Sequence, residues 1–304
     1  MSYAGKVLKT LRARKHLEAG SYVAEFPDEG GQSVIFPRVS LMDCLFRYSW
    51  EGVRNSRIFL TRAMHEVLFR KIVYLLYTNG IISRNRSVVD IGAWIGDNAL
   101  IWAGFLEGEA ASVIAVDPSP SNIAYLEGLA RFNRVDNIVP VVAVCSDEEG
   151  RELVYEGDID HTAFADTARN ARGKLSSTTI DAIIRGAGDI DVGFFHIDVE
   201  GMEKDVLTGS FEMIRKSLPV ICFEQHIESD PVGEILAMLD GQGYSSYMLN
   251  EALPDCNLDC RNILSFPPTV DAGDVTRITE SVETKNPYFR LIPGGPLIPL
   301  NAGA

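Results

Sequence analysis

The sequence lacks an apolar run long enough to cross a bilayer: its longest, Val67 to Leu76, is interrupted by Arg70 and Lys71. It also lacks a secretory signal, because Lys6, Lys9, Arg12, Arg14 and Lys15 are not followed by a sustained apolar stretch. That basic cluster, with no acid among the first seventeen residues, reads as a solvated helix face. Cysteine is sparse. The five residues Cys44, Cys145, Cys222, Cys256 and Cys260 are an odd, scattered set that suits reduced thiols and a cytoplasmic protein better than a disulfide framework. Cys256 and Cys260 have no second Cys or His pair near them in sequence to complete a tetrahedral zinc site, and they read as structural. Positive charge is in deficit, with 28 Lys and Arg against 42 Asp and Glu and a formal net charge of −14. Such a surface repels phosphate backbones, so a nucleic-acid partner is not expected, and neither is a membrane.

What is present is enough apolar sequence, 46%, for one large core with attachments. From about Ser56 to Tyr77, Ile58, Leu60, Met64, Leu68, Ile72 and Leu75 recur at three- and four-residue intervals, predicting an amphipathic helix that stops at Thr78-Asn79-Gly80. Before it, Phe46, Tyr48 and Trp50 show no period and suit a cap or a subunit contact. After Arg86 short apolar runs alternate with helical segments, the pattern of βαβ units. Strands are predicted at Ser87 to Ile91, Ser112 to Val116, Ile138 to Val144, Val192 to Asp198, Pro219 to Glu224, Ser245 to Leu249 and Asn262 to Ser265. Helices are predicted at Asp97 to Leu106, Ser121 to Phe132, Thr179 to Arg185, Glu203 to Ser210, Met213 to Ser217 and Pro231 to Gln242. The fold class is α/β, a doubly wound and mostly parallel seven-stranded sheet at residues 83–268, after an N-terminal helical or cap extension at 1–82 and before a C-terminal arm at 269–304. The polar stretch from Asp147 to Ser177 is a hairpin or a mobile loop over a site. Pro287, Pro293, Pro296 and Pro299 make the C-terminal tail extended, and this arm with the aromatic segment suits a homodimer.

The strongest local signal is Val88-Val89-Asp90-Ile91-Gly92-Ala93-Trp94-Ile95-Gly96-Asp97-Asn98, a strand entering a glycine loop and then a helix. Gly92 and Gly96 would let the backbone pass close beneath a ligand. Dinucleotide enzymes carry three glycines here to meet a pyrophosphate, whereas this loop has two, with Trp94 between them. A carboxylate at Asp90 would repel a diphosphate but would suit the ammonium and sulfonium of S-adenosylmethionine (SAM). Asp117, followed by Pro118 and a capped helix start, is placed to accept ribose hydroxyls. Ser146 and Asp147 end the third strand, either as adenine partners or as ordinary strand-end residues. The expected cofactor residues are thus Asp90, Gly92, Ala93, Trp94, Gly96, Asn98, Asp117, Pro118, Ser146 and Asp147.

These residues resemble the FkbM family of SAM-dependent methyltransferases. Asp90 to Gly96 resembles its first motif, Thr179-Ile180-Asp181 its Thr-Leu-Asp segment, and Ile197-Asp198-Val199-Glu200-Gly201-Met202-Glu203 its most characteristic run, while Phe223-Glu224-Gln225-His226 resembles its next strand. The resemblance spans roughly Val88 to Tyr244. It implies a class I, Rossmann-like methyltransferase fold and O-methylation of a hydroxyl on a sugar or other natural product. The family usually has Lys where this chain has His196, and a smaller residue where it has Trp94.

Read from the residues alone, the strand ending at Asp198 and Glu200 delivers acids to the crevice, which need pairing, hydrogen bonds or a cation. Methyl transfer to oxygen requires a base near the methyl group, and the candidates in order are Asp198, His226 and Glu200. Glu224 would orient the substrate, or join Asp198 in holding a divalent cation, Mg²⁺ or Ca²⁺. His196 is either a core imidazole or a site residue; His16, His65 and His161 carry no chemical signal. A nucleotide-cofactor oxidoreductase, and a SAM-binding interaction module without turnover, are the competing readings.

Overall fold

The computed structural model of the protein describes residues 21–25, 33–37, 66–108, 110–156, 164–166, 171–226, 231–251, 260–280, 282 and 295–300. The N-terminal basic cluster, the aromatic segment at Phe46 to Trp50, Cys44, Cys256, His16, His65 and His161 lie outside them.

Strands β1 (Ser21–Glu25) and β2 (Ser33–Pro37) pair with each other. Helix α1 (Val67–Thr78) ends at an Asn79 C-cap, and Gly80 follows at φ 73°, as the stop signal at Thr78-Asn79-Gly80 requires. Then come β3 (Ser87–Ile91), α2 (Asp97–Ala103), β4 (Val113–Asp117), α3 (Pro120–Asn133) and β5 (Ile138–Val142). The stretch after β5 folds as a small antiparallel sheet of β6 (Glu152–Tyr155), β7 (Phe164–Ala165) and β8 (Gly173–Ser176), with β6 in the middle. The remaining βα repeats are α4 (Ile180–Gly186), β9 (Val192–Ile197), α5 (Glu203–Thr208), α6 (Phe211–Ser217), β10 (Val220–His226) and α7 (Val232–Asp240). The chain continues through β11 (Ser245–Leu249), β12 (Cys260–Phe266), α8 (Ala272–Glu280) and β13 (Leu297–Leu300).

The main sheet has the order β13-β11-β12-β10-β9-β3-β4-β5. Strands β10, β9, β3, β4 and β5 are parallel, whereas β12, β11 and β13 join by antiparallel pairing. The eighth strand, beyond the seven expected, is β13. It pairs with β11 at the sheet edge, where Pro299 opposite Tyr247 leaves no central ladder bond unmade. Period-two alternation sends Val88, Phe194, Cys222 and Leu264 to the face covered by α1 and α2, with Phe69 and Trp102. Val89, Ile91, Phe195, Ile197, Ile221 and Phe223 go to the face covered by α4, α6 and α7. Burial on both faces explains the unbroken apolar runs, and each fully buried Val, Ile or Phe contributes about 1.5–3 kcal/mol. The strand order reverses between β3 and β9, which opens a crevice at their carboxyl ends.

Candidate cofactor and acceptor site

The loop after β3 is shaped by contacts within the chain. A Cβ on Gly92, which sits at φ 75°, would lie 1.7 Å from the carbonyl oxygen of Asp198, and the Asp198 amide donates to the Ile91 carbonyl at 2.9 Å. At Gly96, φ 85°, a Cβ would lie 2.6 Å from the Leu126 side chain of α3. Close approach is therefore what the two glycines provide, and the groups that approach are β9 and α3. Between them Trp94 adopts a left-handed φ of 46°. The amides of Gly92 and Ala93 donate to the Val116 carbonyl, that of Trp94 to Asp117 Oδ2 and that of Gly96 to the Ala93 carbonyl. Asp117 Oδ1 also accepts from the Ser119 amide and the Asn122 side chain, so this carboxylate ties the loop to the start of α3. Pro118 sits half-buried in the turn, and Ser119 caps α3 through its hydroxyl.

Asp90 corrects the expectation of a direct ligand contact. Its side chain is completely buried on the α1 face, and Oδ1 lies 2.6 Å from His196 Nδ1 on the neighbouring strand, in register. Burial pushes the Asp90 carboxyl up against the opposing pull of His196. Burial alone would lower the imidazole, but the bond to Asp90 and its charge outweigh it and raise His196 above its ordinary value. Phe69 stacks on the imidazole at 5.3 Å. Asn98 also faces inward. Its side chain accepts from Arg70 Nε at 2.8 Å and donates to Glu66 at 3.1 Å, while Arg70 also holds Asp97 at 2.9 Å. Asn98 therefore joins α2 to α1 rather than reaching a ligand through its side chain.

Ser146 and Asp147, in the turn that follows β5, are held by Arg151, which carries no signal in the sequence. Arg151 Nη1 donates to Ser146 Oγ at 3.1 Å, Asp147 Oδ1 at 2.7 Å and Asp205 Oδ2 at 2.8 Å, while its other edge grips Asp166 bidentately. Burial pushes the Asp147 carboxyl up, but its hydrogen bonds from Ser146, Arg151 and its own backbone, with the Arg151 charge, together outweigh this and hold it below the usual range. One guanidinium thereby joins the strand end, the small sheet and α5.

On the acceptor side Asp198 is half-buried at the tip of β9, and Glu200 is exposed in a turn at φ 53°. Glu203 Oε1 accepts from the amides of Gly201 at 3.1 Å and Val199 at 3.4 Å, so the last acid of the Asp-Val-Glu-Gly-Met-Glu run shapes the turn that presents Asp198. Asp181 likewise caps α6, accepting from the amides of Glu212 and Met213. Glu224 and His226 are half-buried on β10, and Glu224 Oε1 accepts from Cys260 Sγ at 2.6 Å. Cys260 was set aside in the sequence because its partner strand is 34 or more residues away; His226 and Cys260 are directly opposite in the β10–β12 ladder. The expected pairing of Asp198 with Glu224 around Mg²⁺ or Ca²⁺ gives way, among the described residues, to a grouping of Glu224, His226 and Cys260.

The model of the methyltransferase FkbM domain matches residues 90–246, just over half of the chain, from Asp90 on β3 to the start of β11. The chain belongs to the FkbM methyltransferase family. Among solved structures, a methyltransferase FkbM from Methylobacillus flagellatus is 20% identical with a TM-score of 0.45, over 64% of this chain and 47% of that one. This chain thus spans about half the length of that FkbM protein. A methyltransferase from Streptococcus mutans in complex with SAH is 10% identical with a TM-score of 0.41, over 64% of this chain and 96% of that one. A precorrin-6y C5,15-methyltransferase from Geobacter metallireducens is 12% identical with a TM-score of 0.38, over 66% and 88% respectively. A comparison with curated proteins gives no match. Among the described residues of this FkbM-family chain, no helix is long and apolar enough to cross a membrane.

Proposed function

We propose that this FkbM-family protein transfers the methyl group of SAM to a hydroxyl of a small molecule, a sugar or another natural product. The observation that carries the cofactor half is the fate of the loop amides. Gly92, Ala93, Trp94 and Gly96 all spend theirs inside the protein, so the loop has no run of free donors for a diphosphate. A ligand instead meets the Asp117 corner, which suits ribose hydroxyls, and the Ser146-Asp147 strand end, which suits an adenine edge. The residues fit SAM, which when bound supplies a methyl carbon made electrophilic by a sulfonium.

The acceptor enters beside Asp198, whose backbone is fixed by the bond to Ile91 and whose turn is shaped by Glu203. Asp198 is the group placed to take the proton of the acceptor hydroxyl, and a bound SAM would supply the methyl group that replaces it. Glu200 points into solvent from its turn and ranks last as the base, after His226.

Isothermal titration tests the reading. SAM and S-adenosylhomocysteine (SAH) should bind the wild type, Asp117→Ala should abolish this, and Asp198→Asn should keep SAH binding while losing methylation of any accepted hydroxyl substrate. NAD binding without SAM affinity would overturn it.

A further inference from the structure

The β10–β12 ladder brings Glu224 and His226 together with a cysteine, Cys260, that hydroxyl methylation does not need. His226 and Cys260 are opposite each other, and Glu224 precedes His226 by two residues, so all three side chains leave the same face of a rigid antiparallel pair. One ligand atom from each lies within 4.8 Å of the others. Cys260 is fully buried, and Glu224 and His226 are partly buried. Beneath them Asn262, opposite Glu224, is fixed by its bond to Glu66 at 3.0 Å, so the floor of the cluster is braced against α1.

We propose that Glu224, His226 and Cys260 form a three-ligand site for a borderline-soft divalent cation, with Zn²⁺ the best match. The donor chemistry selects the ion: one thiolate and one imidazole favour Zn²⁺ over Mg²⁺ and Ca²⁺, which need shells of oxygen. A tetrahedral centre with ordinary bond lengths puts its donors about 3.3–3.6 Å apart; the three ligand atoms lie within 4.8 Å of one another, and Cys260 Sγ and Glu224 Oε1, now 2.6 Å apart, separate by about an ångström to admit the ion. Thiolate and carboxylate cannot both stay ionised at the 2.6 Å between Cys260 Sγ and Glu224 Oε1 without a cation between them. On binding, a sulfur–metal bond would form and the thiol proton would leave to solvent. Among the described residues the site has three protein donors, Glu224, His226 and Cys260.

The test needs neither SAM nor an acceptor, so it stands apart from the methyl-transfer reading. The full chain, reduced and stripped of metal, is titrated with Co²⁺. The expected result is a thiolate-to-cobalt charge-transfer band saturating at one equivalent and erased by Zn²⁺. Cys260→Ser, which keeps the size of the side chain and a hydroxyl for Glu224, should lose the band with an unchanged far-UV spectrum. His226→Gln, a second variant less exposed to folding failure, should weaken Zn²⁺ binding by at least about tenfold. The absence of a saturable band, its persistence in Cys260→Ser, or unchanged Zn²⁺ affinity in His226→Gln would each overturn the proposal.

Discussion

His196 Nδ1 lies 2.6 Å from Asp90 Oδ1, and both side chains are shut away from solvent beneath the cofactor crevice. The acid at the end of β3 thus acts through its neighbour strand and the loop it supports. Asp90→Ala should cost about 3–5 kcal/mol in urea unfolding, because it leaves a buried imidazole without its partner. SAH affinity should survive under conditions where the variant is folded. Lost SAH binding with unchanged stability would instead make Asp90 a ligand contact.

Gly92 and Gly96 should respond differently to alanine. At Gly92 the added carbon meets the Asp198 backbone, which cannot move without unpairing β9 from β3, so Gly92→Ala should fail to fold or lose more than about 3 kcal/mol. At Gly96 it meets the Leu126 side chain from Cβ to Cδ1. Gly96→Ala should cost less, because a side chain can shift where a backbone cannot, and Leu126→Ala, which by itself empties a buried site at about 2–5 kcal/mol, should cost less when combined with it than the sum of the two single changes. Thermal unfolding of the single and double variants measures this.

Glu251 reaches back to cap α1, accepting from the amides of Leu68 at 2.9 Å and Phe69 at 3.1 Å. Burial pushes its carboxyl from 4.5 up to about 7, against the pull of those amides and of Arg70, with Glu66 adding to the rise. A folded-state value above the unfolded one means that the native state holds the proton more tightly. The contribution of this group is then largest below about 4.5 and falls as pH rises towards 7, by about 3 kcal/mol in all. Glu251→Gln should flatten that part of the stability-against-pH curve; an unchanged curve would show that Glu251 does not titrate there.

Arg151→Ala should release the Ser146-Asp147 turn from the small sheet and from α5. The expected outcome, read by calorimetry, is an SAH affinity several-fold weaker with a nearly unchanged melting temperature, since the ion pairs are largely solvent-screened. Unaltered SAH affinity would mean that the turn holds its shape without the guanidinium.

Much of the sheet was legible because its central strands are buried on both faces, and β3 and β11 have the bounds their apolar runs suggest. Strand β13 was hidden by its prolines, which an edge position tolerates, and β6 to β8 by polar residues that a small exposed sheet allows. In the site, the acids were legible as positions but not as partnerships. Period two already places Asp90 with Val88 on the α1 face, yet only the β3–β9 register reveals His196 as its partner. Arg151 and Cys260 carry no local signal, because their partners come from other strands and helices.

The crystal structure of the SAH complex tests the central claim most directly. Ribose hydroxyls about 2.6–3.2 Å from Asp117, with the sulfur turned towards Asp198, are the predicted result. SAH bound away from the β3–β9 crevice, or a dinucleotide diphosphate seated on residues 92 to 96, would contradict it.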